Sequence, residues 1–400
     1  MGISLGLVGL GSFGSGFAEL FKRHPAVDRI ALCDREPERV ARFAQLESWQ
    51  DKFHPWDAYD SLDDICGADL DALVVMTQPW LHAPQCVQAL ESGKHVYSAV
   101  PIISIPDDDE TLDWCDRLVN ACLRTGLHYM LGETTFYRPE TMFCRRMARE
   151  AGFGDFVYAE GEYFHDVDDP GCSLREVSRH RLASKAGQEW VEARRKYEAR
   201  GLWAGPMHYP THSTSGPVSV MNAHAVRVNC YGFRNQNQDP HFANSFSNET
   251  ALFAMSNGAV VRICEFREVA RGGSETFRVL GTRGSFRDGL WETNHRDEPL
   301  SAKPLESRRL TVEEMRDPLP PEVAAAWTDT DGESVAYGGH GGSHAYLAHE
   351  FVDAVASGRR PAINVWEAVR YMAMGIAAHQ SALKDGETVQ VPDWGDAPGQ

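Results

Sequence analysis

The chain has 400 residues, 42% of them hydrophobic, which is too long for one core and suits two domains. A formal net charge of −18 excludes the basic face that nucleic-acid binding needs and disfavours an anionic membrane surface. No apolar run approaches the roughly 20 residues of a membrane span.

The first element is a short apolar strand, Leu5-Gly6-Leu7-Val8, running into Gly9-Leu10-Gly11-Ser12-Phe13-Gly14. Phe13, Phe17, Leu20 and Phe21 then recur at helical spacing as far as Pro25. The three glycines differ in what they do: Gly9 makes the turn, Gly11 lets backbone approach a pyrophosphate, and Gly14 allows close helix–strand packing. The amides and positive dipole end of the helix then face the phosphates. A second strand, Arg29-Ile30-Ala31-Leu32-Cys33, ends in Asp34, twenty positions after Gly14, where an acid grips the ribose hydroxyls of NAD. Arg35 keeps NADP open, but a carboxylate at Asp34 repels a 2′-phosphate, so NAD is favoured.

Pro37 opens an amphipathic helix carrying Val40, Phe43 and Ala44, and residues 47–60 read as a loop. Asp71–Met76 is a buried strand followed by Thr77-Gln78-Pro79 and a helix from about His82 to Ser92, closed by Gly93. The strand His95–Ser98, a helix striped by Leu112, Cys115, Leu118, Val119 and Cys122, and the strand His128–Leu131 complete an alternating series. Such alternation with short connections predicts a doubly wound parallel sheet, ending near Gly132.

Beyond it, residues 139–151 look helical, and long alternating strands follow at 156–166, 225–233, 245–255, 259–267 and 275–282. Ser256-Asn257-Gly258 is a hairpin signal. Residues 288–335, rich in proline and charge, read as an irregular surface excursion. Two helices, roughly 343–357 and 365–384, finish the chain, the second with Asn364 as N-cap and Glu367 three positions on. The expected class is therefore α/β: a Rossmann domain over 1–132, and an α+β domain over 133–400 with a large open, mostly antiparallel sheet. The final helices are expected to pack back toward the Rossmann domain. The N-terminus lacks a basic n-region and a cleavage pattern and reads as the mature start, and nine cysteines without a Cys-x-x-Cys pair suit reduced thiols in the cytoplasm.

The layout resembles the glucose–fructose oxidoreductase / inositol dehydrogenase (Gfo/Idh/MocA) family over nearly the whole chain. The matching features are Gly9–Gly14, Thr77-x-Pro79-x-x-His82, Gly93-Lys94-His95-Val96 and Gly281-Thr282-Arg283-Gly284-Ser285-Phe286. The resemblance implies a nicotinamide cofactor, sugar-like substrates and oligomerisation through the sheet. It places Gly9, Gly11, Ser12, Phe13, Gly14, Asp34, Arg35, Thr77, Pro79, His82 and Pro101 at the cofactor. Family dehydrogenases usually carry Glu-Lys-Pro after the fifth strand, the lysine assisting proton transfer, whereas this chain reads Ala99-Val100-Pro101. Valine cannot move a proton, so acid–base chemistry must come from elsewhere.

A branch without that lysine is the NAD-dependent glycoside hydrolases similar to the family 109 α-N-acetylgalactosaminidases. Four stretches look like theirs, in the same order: Glu133-Thr134-Thr135-Phe136-Tyr137-Arg138, Gly161-Glu162-Tyr163-Phe164-His165-Asp166, His208-Tyr209-Pro210-Thr211-His212 and His340-Gly341-Gly342. The next residues, Ser213-Thr214-Ser215-Gly216-Pro217, depart from the branch's Gly-Leu-Gly-Pro and leave the substrate open.

Ala159, Gly161, Tyr163 and His165 share one strand face, where small residues leave room for a ligand; a core tyrosine is the plainer alternative. His212 is expected in an irregular segment, as a base near neutral pH or as a structural histidine. Glu133 follows the last Rossmann strand, at the end where open sheets bind ligands, or serves a domain-junction salt bridge. The resemblance implies that bound NAD+ takes hydride from C3 of the sugar. His212 then accepts the hydroxyl proton, and Tyr163, aided by Tyr209, removes the C2 proton; Glu133 completes the catalytic set. Tyr137, Arg138, His165, His208, His340 and His344 are expected at the substrate. Trp80 and Trp203 either stack on a ligand ring or pack in the core, and no spacing suggests a metal site. Two alternatives remain: a net sugar or polyol dehydrogenase, and a non-catalytic NAD(H)-binding sensor. The expected assembly is a homodimer or homotetramer.

Overall fold

The computed structural model describes residues 2–242, 244–294, 304–328 and 335–399. The first sheet has six strands: β1 (Ile3–Val8), β2 (Val27–Cys33), β3 (Ala58–Tyr59), β4 (Ala72–Val75), β5 (His95–Ser98) and β6 (Tyr129–Leu131). Their order is β3-β2-β1-β4-β5-β6, with every pair parallel. β4 is buried at all four positions, as a parallel strand covered on both faces must be. Helices α1 (Ser12–Arg23), α2 (Pro37–Ala44), α3 (Leu62–Gly67), α4 (His82–Glu91) and α5 (Asp108–Thr125) connect the strands. The order reverses between β1 and β4, which opens the ligand crevice beyond their C-terminal ends.

After α6 (Pro139–Arg149) the chain enters a nine-stranded sheet. Its strands are β7 (Phe156–Phe164), β8 (Ala225–Phe233), β9 (Asn248–Met255), β10 (Val260–Phe266), β11 (Ser274–Gly281), β12 (Gly284–Arg287), β13 (Leu290–Thr293), β14 (Glu306–Arg309) and β15 (Val389–Gln390). The order is β14-β13-β12-β11-β7-β10-β9-β8-β15. Only the central β7–β10 pair is parallel among the described strand pairs; the others are antiparallel. The hairpin at Ser256–Gly258 joins β9 to β10, with Gly258 at φ +86.

One face of this sheet is covered by helices α9 (Thr211–Met221) and α13 (Val365–Leu383). α9 lies on β7 where Gly161 has no side chain; a Cβ there would sit 1.8 Å from the Ser213 carbonyl oxygen. α12 (Ser343–Ser357) packs on α1, and α13 packs on α5.

Several segments depart from the expectation. Residues 47–60, read as a loop, end in the edge strand β3, and α3 after it was not foreseen. Thr211–Met221 is a helix, buried at ten of its eleven positions, so His212 sits in its first turn rather than in an irregular stretch. Two further helices, α7 (Leu174–Ala183) and α8 (Lys185–Glu198), were not foreseen, since their sequences carry no broad apolar stripe. Of the excursion expected over 288–335, residues 295–303 and 329–334 lie outside the described residues; the described ones include β13, β14 and two short helices, α10 (Val312–Met315) and α11 (Pro321–Trp327), in place of an irregular stretch. Met315, Val323 and Trp327 are buried there, and the Trp327 indole donates to the Leu20 carbonyl at 3.0 Å. Burial of these few apolar residues gives an otherwise polar segment its structure.

Candidate active site

The glycine turn after β1 has the geometry its spacing requires. Gly9 adopts φ +91, and a Cβ on Gly14 would lie 2.1 Å from the Gly9 carbonyl oxygen. A Cβ on Gly11, by contrast, meets nothing within 4 Å and faces a cavity of about 320 Å³. Gly11 caps α1 without a side-chain hydrogen bond. Asp34 lines the same cavity; its carboxylate accepts from the Leu10 amide at 2.7 Å and the Glu36 amide at 2.9 Å. Open space at Gly11, an uncapped helix N-terminus and a fixed carboxylate at the end of β2 fit a dinucleotide. Ser12 opens α1, and Gly14 packs behind the turn rather than lining the cavity.

The far wall of this cavity comes from beyond the first sheet: Ser184, Lys185 and Ala186 at the start of α8. Lys185 donates to the Arg35 carbonyl at 2.7 Å, and Arg35 is held by Glu189 at 2.7 and 2.8 Å. Trp190 of α8 stacks on Trp80 at 5.2 Å and an interplanar angle of 10°, so Trp80 holds the helical strap and is not left free for a ligand ring. Trp203 lies on a separate cavity with Asp107 and Arg200.

Met76 and Thr77 also line a second cavity of about 440 Å³, which continues the first toward the nine-stranded sheet. Phe13, Pro79, His82 and Val100 form its Rossmann side. Pro101 sits behind them after a cis Val100–Pro101 bond. The His82 ring lies between two carbonyl oxygens, Pro101 at 2.8 Å and Thr77 at 3.2 Å, and burial pulls its pKa down to about 4. The neutral ring carries one proton and donates to one of these two carbonyls, so His82 sits at the joint between the two loops.

The opposite wall carries Tyr163, Tyr209, His212 and His340. The His212 ring lies 5.0 Å from Tyr163, 5.6 Å from Tyr209 and 6.3 Å from His340. The Tyr209 hydroxyl donates to the Val100 carbonyl at 3.2 Å, tying this wall to the loop where the family lysine would stand. Glu133 is fully buried beneath His212, with Oε1 2.9 Å from Nδ1 and 2.9 Å from the Thr135 amide. Burial alone would raise the Glu133 carboxyl, but His212 and the Thr135 amide hold it below its ordinary range. Burial likewise lowers His212, yet Glu133, with Glu275 and Glu265 nearby, outweighs it and raises the imidazole to about 9. Glu133 thus acts on the cavity through His212 and does not line it.

Tyr163 stands at the centre of a charged frame. In the parallel register it pairs with Glu265, and in the antiparallel register with Glu275. The Arg267 guanidinium lies 4.5 Å over its ring and is itself paired with Glu265 at 2.6 Å. Burial pushes the Tyr163 phenol well above its usual range, against the pull of Arg267. Burial pushes Tyr209 up to about 12 and the Glu265 carboxyl up to about 7.

Several expected substrate contacts fall elsewhere. Tyr137 stacks on Tyr346 at 6.2 Å and does not line the cavity. Arg138 is turned to Glu275, 2.8 Å from its carboxylate, behind the wall. His344 packs on Phe17 at 4.1 Å and holds His340 through a 2.9 Å ring-nitrogen contact. These three are supports, because neighbouring aromatic and charged groups occupy them. His208 reaches the cavity wall with Nε2 3.0 Å from Asp108, and His165 has both ring nitrogens engaged by protein atoms. Arg267, Glu265, Glu275, Arg181 and His241 were missed. No signal within one strand marked Glu265, Glu275 or Arg267, which meet Tyr163 only through the pairing of β7 with β10 and β11. Among the described residues no group of three His, Cys, Asp or Glu side chains could hold a metal ion, and no helix is long and apolar enough to cross a membrane.

Residues 3–133 match the family model described as oxidoreductase family, NAD-binding Rossmann fold, and residues 137–397 match the glycosyl hydrolase 109 C-terminal domain. A glycosyl hydrolase family 109 protein of Stenotrophomonas maltophilia (strain K279a) is 25% identical over 98% of this chain and 89% of its own length. Among solved structures, an oxidoreductase domain protein from Kribbella flavida superposes with a TM-score of 0.72 at 17% identity, covering 98% of this chain and 100% of its own. A levoglucosan dehydrogenase in complex with NADH gives 0.71 at 17% identity, with the same coverage. The chain belongs to the glycosyl hydrolase 109 branch of the Gfo/Idh/MocA family and is an NAD-dependent enzyme.

Proposed function

We propose that the enzyme is an NAD-dependent glycosidase that works by transient oxidation at C3, elimination, water addition and re-reduction. One observation carries this reading. The cavity wall presents Tyr163, Tyr209, His212 and His340, while no lysine, aspartate or glutamate is among the described residues that line it. A glycosidase with paired carboxylates needs two acids on the wall, and NAD-dependent hydrolases are the exception to that scheme. A family dehydrogenase would place lysine where Val100 stands.

Bound NAD+ would supply the hydride acceptor at C3 and return the hydride at the end, which leaves it unchanged over a turnover. Gly11, the start of α1 and Asp34 would hold its phosphates and ribose, and the α8 strap would keep it in place. His212 faces the sugar with Nε2 while Glu133 holds Nδ1. His212 is charged below about 9, so it first gives up its proton to solvent; the neutral ring then takes the C3 hydroxyl proton, and the charged ring returns that proton in the last step. The carbonyl at C3 acidifies C2–H; Tyr163 takes that proton, the C1–O bond breaks, and the aglycone leaves with a proton from the site. Water then bonds to C1 through its oxygen and gives one proton back to the site in place of the one that left with the aglycone, while C2 takes a proton from Tyr163. Tyr209, tethered to Val100, orients the hydroxyls at this end of the cavity.

The chain divides near residues 132 and 133 into a cofactor-binding part and a substrate part, and both cavities lie between the two. The outer sheet face, with exposed Tyr231, Phe233, Leu252 and Val260, supports assembly into a homodimer or homotetramer, and the free thiols suit a cytoplasmic location. Purified protein is incubated with a panel of nitrophenyl glycosides while aglycone and NADH are followed together. Aglycone release without accumulating NADH is expected. Stoichiometric NADH would make the enzyme a net dehydrogenase, and tight cofactor binding with neither signal would make it a sensor.

A further inference from the structure

The Tyr163 hydroxyl lies 2.6 Å from Nδ1 of His165, and Nε2 of His165 lies 2.7 Å from the Cys172 carbonyl oxygen. A carbonyl oxygen only accepts, so Nε2 must carry a proton. The neutral imidazole then has a bare Nδ1, and the Tyr163 hydroxyl must be the donor to it. The arrangement is directional: phenol donates to imidazole, and imidazole donates to a backbone carbonyl. It places a base behind Tyr163 and leaves the phenol oxygen's lone pairs toward the cavity.

We propose that His165 is the positioning residue behind Tyr163 and the destination of the proton that leaves C2, so that deprotonation runs as a two-step relay from C2 through the phenol to imidazole. This rests on the glycosidase reading above. The C2–H bond breaks and its electron pair joins the enolate toward C3. The proton goes to the Tyr163 oxygen while the Tyr163 hydroxyl proton passes to Nδ1 of His165. The imidazole becomes imidazolium, still held at Nε2 by Cys172, and its positive charge balances the enolate. After water has added, Tyr163 delivers a proton to C2 and His165 returns its proton to the phenol; the Tyr163 hydroxyl, on the cavity wall, exchanges with solvent while the C1–C2 double bond stands, so the hydrogen delivered to C2 is the solvent's.

Two features of the surroundings favour a relay over a free phenolate. Tyr163 is half-buried, and the desolvation of its hydroxyl opposes a standing negative charge on its oxygen. His165 is pulled below its ordinary range by burial and by Arg267 and His212, with Asp169 and the Cys172 carbonyl opposing, so it is neutral and ready to accept near pH 7. His165 also reaches the cavity wall beside Cys172 and Leu174, so a small molecule can enter the space it would vacate.

The test uses the full-length enzyme with NAD, as wild type, His165→Asn and His165→Gly, in deuterated water. Three signals are read: solvent deuterium entering C2 of the sugar, the transient of NADH absorbance that reports C3 oxidation, and aglycone release. Both variants are expected to keep the NADH transient and lose C2 exchange by about 100-fold, the range of a general base. Added imidazole is expected to restore exchange in His165→Gly only. C2 exchange in His165→Asn within threefold of wild type would overturn the relay. So would a loss of NADH transient and exchange in parallel without imidazole rescue, since that marks a structural role. If the wild type itself releases no aglycone and exchanges no C2 hydrogen, the glycosidase reading fails instead.

Discussion

Replacing Glu133 by Gln removes the charge that sets the protonation of His212 while keeping the shape of the side chain. His212 stands at about 9 against an ordinary value near 6.5, which corresponds to roughly 3 kcal/mol of preference for the charged ring at 1.36 kcal/mol per pH unit. With Gln in place, burial is the largest remaining influence, and the imidazole is expected to titrate below 6.5. The assay is proton and nitrogen NMR of the imidazole signals against pH, with His212→Gln used for assignment. Stability gives a second readout. A raised histidine stabilises the fold fully below 6.5 and loses that contribution as pH climbs through about 9. The depressed Glu133 contributes above 4.5 and loses it as pH falls through its lowered value. The difference in melting temperature between wild type and Glu133→Gln is therefore expected to be widest between about pH 4.5 and 6.5 and to close above 9. A His212 that titrates at or below 6.5 in the wild type, or still near 9 in Glu133→Gln, would refute the coupling.

Other substitutions separate cofactor, packing and charge. Gly11→Val adds bulk only to the open cavity, so NAD affinity by titration calorimetry is expected to fall at least about tenfold with the melting temperature unchanged; unchanged affinity would place the pyrophosphate elsewhere. Gly161→Ala drives a Cβ into the Ser213 carbonyl and is expected to cost about 1–3 kcal/mol in denaturant unfolding, lifting α9 and His212 from β7; wild-type stability would contradict that contact. Glu265, raised by burial to about 7, binds its proton more tightly folded than unfolded, so wild-type stability falls as pH rises from 4.5 to about 7. Glu265→Gln is expected to flatten that slope in a series of melting curves, and an unaltered slope would assign it to other groups.

The Rossmann half was readable because its signals are local: a glycine turn, an acid at a strand end, and apolar runs alternating with amphipathic helices. Strands β7 to β11 of the second sheet were readable for the same reason, through alternation and the turn at Asn257-Gly258, whereas the short strands β12 to β15 were not. Helix α9 was not, because Thr211-His212-Ser213-Thr214-Ser215-Gly216-Pro217 has loop-like propensities and is buried on nearly every side, so no stripe marks it. Helices α7 and α8 were hidden for the opposite reason, being largely exposed around their circumference. Tyr163, Tyr209 and His212 were reached through resemblance, and the fold gathers them on one wall. The glutamates and arginine framing Tyr163 were out of reach, because their proximity depends on the register of β7 against β10 and β11. No periodicity within one strand encodes that register.

The measurement that bears most directly on the proposed chemistry is the hydrogen at C2 of the released sugar, read by mass spectrometry after turnover in deuterated water. Elimination through Tyr163 is expected to leave solvent deuterium at C2 of every released sugar with no net NADH, and Tyr163→Phe is expected to abolish release while keeping NAD bound. Release with the original C2 hydrogen retained, or unchanged release by Tyr163→Phe, would contradict it.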